Sequence, residues 1–75
     1  MMTTTTAPID WTRASQHPVA LVLLPWPDGC TIAKEDTDGT LCGCRDVTYG
    51  PYYADVVCHW INGAIQDGLR VKDYR

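Results

Sequence analysis

The sequence predicts a small two-layer α+β domain: a three-stranded antiparallel sheet packed against one long C-terminal helix, with a short N-terminal helix ahead of it. Three observations carry this expectation. Residues 52–69 are the single long stretch with helical apolar spacing. Asp38-Gly39 separates two strand-like runs, residues 30–35 and 40–48, and such a pair is the strongest short-range hairpin signal. Residues 19–24 are continuously apolar between Pro18 and Pro25, too short for a helix and suited to a strand buried on both faces.

In chain order, residues 1–8 are Thr-rich and apolar-poor, which predicts a disordered leader ahead of a single domain over residues 9–75. Pro8-Ile9-Asp10 suits a helix entry, with Asp10 as cap and residues 11–17 as two short turns. Pro18 ends them, because the residue before a proline is pushed out of the α region. After the apolar strand, Pro25-Trp26-Pro27-Asp28-Gly29 is expected to be a rigid turn. The hairpin follows, and Tyr49-Gly50-Pro51 breaks its second arm. Pro51 suits a first helical turn, and Gly68 suits a left-handed cap. Leu69, Val71 and Lys72 then alternate, as a short edge strand would.

On a helical wheel, Asp55, His59, Asn62 and Gln66 form a polar strip opposite Tyr53, Val57, Trp60, Ala64 and Gly68. Ala54, Val56, Cys58, Ile61, Ile65 and Leu69 flank that apolar line. The apolar arc is about twice the ~100° a surface helix needs. An arc this wide is either covered on both flanks by the rest of the chain or leaves one flank for a partner.

The 75 residues make one domain with a marginal core, the size at which disulfides, a metal or a partner subunit usually help. The net charge is −3, and the six basic residues, Arg13, Lys34, Arg45, Arg70, Lys72 and Arg75, are scattered. Nucleic-acid binding needs them clustered, so no nucleic-acid partner is expected. The first residues lack the basic and apolar regions of a secretory signal, and the longest apolar run is far short of a membrane span. A reducing cytoplasm is therefore the expected compartment, with no membrane partner.

The four cysteines, Cys30, Cys42, Cys44 and Cys58, allow a structural zinc site as an alternative to a cofactor-free protein. The single spacer in Cys42-Gly43-Cys44 fits that chemistry poorly. Cys58 and His59 point about 100° apart on a helix and cannot readily share one ion. Cys58 is expected to be a small buried hydrophobe, and His59 to face water beside Asp55. Hairpin register decides the rest. A two-residue turn sets Cys30 opposite Val47, on the other face from Cys42; a three-residue loop with a glycine bulge brings Cys30 and Cys42 to one face. The sequence leaves both open. A dithiol redox protein is the third reading, and it requires a low-pKa thiolate at Cys42 or Cys44. The acidic run 35–38 lacks the twelfth-position glutamate of a calcium loop and suits a solvated hairpin tip.

No catalytic set can be assembled, so the leading expectation is a non-enzymatic protein–protein interaction module that self-associates or occludes a partner's surface. An accessory or inhibitor protein of a phage or mobile element, acting on a host complex, fits so short a chain. The expected interaction surface is Trp26, Tyr49, Tyr52, Ala54, Ile61 and Ile65.

Overall fold

A computed structural model describes residues 9–75, and the expected leader over residues 1–8 lies outside them. Six elements follow one another: β1 (Ile9–Asp10), β2 (Pro18–Trp26), β3 (Gly29–Asp36), β4 (Leu41–Thr48), α1 (Tyr53–Gln66) and β5 (Arg70–Asp73). The strands form one mixed sheet in the order β1-β4-β3-β2-β5. The class is α+β as expected, but the sheet has five strands rather than three, and no N-terminal helix is present among the described residues.

The missing helix has a local cause. The Asp10 carboxylate accepts from the Thr12 N–H at 2.9 Å and from its hydroxyl at 2.8 Å. This side-chain turn competes with helical bonding. Ile9 and Asp10 instead pair in parallel with Leu41 and Cys42. The following segment is drawn to the far hairpin: Arg13 Nη2 and the Gln16 N–H donate to the Asp36 carboxylate at 3.2 and 3.4 Å, and Ser15 Oγ donates to it as well.

The antiparallel meander β2-β3-β4 is the centre of the sheet. The first turn is shorter than the sequence suggested. Trp26 pairs with Gly29, so Pro25 and Trp26 belong to β2 and only Pro27-Asp28 turns. The second hairpin contains both registers that the sequence left open. Near its tip the loop spans residues 37–39, with Gly39 at φ 86°, and Lys34 faces Cys42. A bulge between Ile32 and Ala33 then shifts the pairing by one, so Cys30 faces Val47. Cys44 is the extra residue.

Cys30 and Ile32 share the helix-facing core with Leu21, Leu23, Val47, Val57 and Ala64. The opposite face has its own smaller cluster: Val22, Ala33 and Leu41, with Ile9 and Leu24 against it. A Cβ on Gly43 would collide with the Trp11 ring, so that ring lies directly on the backbone of β4 and closes this face.

The helix ends as its glycine predicts. Gly68 has φ 77°, its N–H donates to Ile65 O at 3.1 Å, and the Leu69 N–H donates to Ala64 O at 2.9 Å. These two bonds close a Schellman cap. The cap turns the chain into β5, which pairs in parallel with residues 20–23 of β2. The helix start is less orthodox: Pro51 sits in the preceding turn, and Tyr52 caps without a side-chain bond.

Candidate functional site

The six residues expected to form one interaction surface are distributed over three places. Ala54, Ile61 and Ile65 lie on one flank of α1. Spacing of i, i+4, i+7 and i+11 aligns them with Cys58 in a single row. Ala54 and Cys58 are exposed, Ile65 is 61% exposed, and Ile61 is half-buried. Cys58 is therefore corrected: it is not a buried hydrophobe but part of an uncovered apolar row. The wheel gave the width of the arc but not which flank the sheet would reach.

Tyr49 and Tyr52 lie on the other side of the helix, over β4. Tyr49 packs edge-on against Tyr53, with ring centroids 4.8 Å apart. Arg75 holds Tyr53 in turn, donating from Nη1 to its hydroxyl at 3.3 Å while binding Asp73 through Nε and Nη2. Tyr52, Val56 and Trp60 share a shallow groove with Arg45, Asp55 and His59. Trp60, a core candidate by sequence, is half-buried, and His59 is exposed as expected.

Trp26 occupies the helix-free face. Its indole N–H donates to Thr31 Oγ1, and the buried Thr31 hydroxyl donates to Asp46 Oδ1 at 2.6 Å. This chain of bonds fixes the ring, yet 52% of the residue remains exposed. Asp28 and Asp46 border the adjoining cavity. Sequence reasoning missed Thr31, Asp46, Arg45 and Val56, because their roles come from cross-strand and helix–sheet pairing rather than from any local motif.

The cysteines do not converge. Cys30 and Cys42 are buried, Cys44 is half-buried and Cys58 is exposed, all as free thiols. Among the described residues no group of three or more His, Cys, Asp or Glu side chains is placed to hold a metal ion. Burial pushes the Cys42 and Cys44 thiols above their ordinary range. Cys44 Sγ donates to the Cys42 carbonyl at 3.7 Å, and the charge of Lys34 lowers this thiol less than burial raises it. Thiol exchange requires a thiolate, which a raised thiol pKa disfavours.

No helix of the described residues is long and apolar enough to cross a membrane. Comparison with protein-family models, with curated proteins and with solved structures finds no match.

Proposed function

We propose that this protein is a non-catalytic protein-interaction module that self-associates through the flank of α1 formed by Ala54, Cys58, Ile61 and Ile65. The observation that carries this reading is the exposure of Ile65, at 61%, in line with two further exposed small or apolar residues on a rigid helix. An apolar row on a regular element is a better contact than scattered apolar residues, because it buries continuously against a like row. In a two-fold pair each residue of the row is buried twice, so one isoleucine influences both halves of the interface. Fully burying such a side chain is worth about 1.5–3 kcal/mol. The four free thiols suit a reducing compartment, and we place the protein in the cytoplasm.

Sedimentation across micromolar to millimolar concentrations tests this. Concentration-dependent dimers that Ile65→Glu converts to monomers support the reading. A monomer throughout, or dimers indifferent to Ile65→Glu, overturns it.

A further inference from the structure

We propose that the outer edge of β4, over residues 44–48, is a strand-addition site for an extended peptide in which apolar and basic residues alternate. The first ground is an open edge. Within the described residues, β1 pairs with β4 only at Leu41 and Cys42. The chain then leaves the edge as Trp11 settles over Gly43.

The second ground is the direction of the backbone groups. The Tyr49 N–H donates to Asp28 O at 2.7 Å, which makes this an inward-bonded pair. Antiparallel pairs alternate between bonded and non-bonded. The register Cys30 to Val47 and Ile32 to Arg45 continues the bonded set. Asp46 and Thr48 therefore direct their N–H and C=O groups away from β3. Both residues are exposed. Together they present two donors and two acceptors in the spacing of an added strand.

The third ground is what flanks this edge on each face. On the helix side an added strand runs beside Arg45 and Val47, next to the groove of Tyr52, Val56 and Trp60. That groove accepts an apolar side chain. On the other side lies a cavity of ≈210 Å3 bordered by Trp26, Asp28 and Asp46. Neither carboxylate has an ion pair among the described residues. The Thr31 bond fixes the indole beside them. An aromatic face next to two carboxylates attracts a lysine or arginine head group. Side chains alternate along a strand, so the two faces together specify the alternation. This surface and the Ile65 row lie on opposite flanks of α1, so the two are separable.

Titrating the isotopically labelled protein with a seven-residue, end-blocked peptide alternating leucine and lysine, followed by amide NMR, tests the assignment. The amides of Asp46 and Thr48 should shift and become protected from exchange. The matched leucine–glutamate peptide should bind at least about tenfold more weakly. Thr48→Pro removes an outward N–H without touching the β3–β4 ladder and should abolish the protection. Asp46→Lys keeps the backbone unchanged, covering the case in which the proline variant misfolds, and should weaken the leucine–lysine peptide about tenfold. Shifts centred on the Ala54, Cys58 and Ile65 row, equal binding of the two peptides, or wild-type affinity in Asp46→Lys would overturn the proposal. Ile65→Glu should leave the titration unchanged, so strand addition and self-association can fail independently.

Discussion

The two faces of the sheet are closed by different means. On one, a 14-residue helix lays Val57 and Ala64 over Leu21, Leu23 and Ile32, and burial is almost wholly apolar. On the other, no helix lies among the described residues. Its cover consists of one aromatic ring on a glycine, a fixed indole, and the Lys72–Glu35 ion pair at 2.7 Å reaching across β2. The segment carrying Trp11 is held at its far end by Asp36, which is 2% exposed and accepts from Arg13, Ser15 and Gln16. A small chain thus closes a second face with point contacts and polar latches. The difference predicts a rigid helix side and a more readily opened helix-free side.

Truncations in the two clusters probe that difference most strongly. Ile32→Ala should cost about 2–5 kcal/mol, because the helix and three strands surround it and the space cannot collapse. Leu41→Ala should fall at the lower end of the same range, since its neighbours Ile9 and the Trp11 segment can move in. Urea unfolding measures both, and equal losses would remove the contrast.

Next in size is the Asp36 latch. Asp36→Ala leaves the donors of Arg13, Ser15 and Gln16 without their acceptor and should cost about 1–3 kcal/mol. Its signature is faster amide exchange over residues 11–17 with α1 unchanged. Trp11→Ala loses a half-buried ring and should cost about 1–1.5 kcal/mol. Gly43→Ala should match it by displacing that ring, and a neutral Gly43→Ala would show that the ring seats elsewhere.

The smallest effects are electrostatic. Hydrogen bonds from Thr12 hold the Asp10 carboxyl below the usual range, and bonds from Thr40 and Arg13 do the same for Asp38. A lowered folded-state pKa stabilises above the unfolded value, near pH ~4, and the contribution is lost as pH falls through the folded value. Acid should therefore loosen residues 10–17 before α1, as read by amide exchange between neutral and acidic pH. Lys72 shifts upward through its bond to Glu35, so its contribution holds below about pH 10.5 and disappears as pH rises through the folded value. Lys72→Ala should move the unfolding midpoint less than any variant above, and added salt should shrink the difference.

The elements legible in the sequence were those with a local signal. The helix had its period and its glycine cap, the second hairpin had Asp38-Gly39, and β2 had its apolar run. The alternation at Val71 also marked β5. Its parallel partner was not legible, because β2 lies some fifty positions earlier and no local pattern names it. Residues 11–17 read as a helix in the sequence because no local pattern marks their partner, Asp36, which sits in a run that reads as a solvated hairpin tip. At the candidate site, the sequence places the aromatics and Ile65 on one surface, and the structure leaves them exposed but apart. Their separation onto two helix flanks and the far sheet face depends on how α1 lies across the strands.

Late arrival of β5 has a consequence for synthesis. As the chain is made, β2, β3 and β4 can pair before residues 70–73 exist, leaving the outward backbone groups of Leu21 and Leu23 without their strand. In the finished fold the Tyr74 N–H donates to Leu23 O at 2.9 Å on that same side. Until then, the prolines at either end of β2 guard the vacancy. Pro25 is the next outward position after Leu23 and has no N–H to offer, and Pro18 closes the other end beside a register shift at Val19. A nascent chain can therefore expose its most apolar strand for as long as the helix takes to emerge, with only a four-residue window open to a stray neighbour.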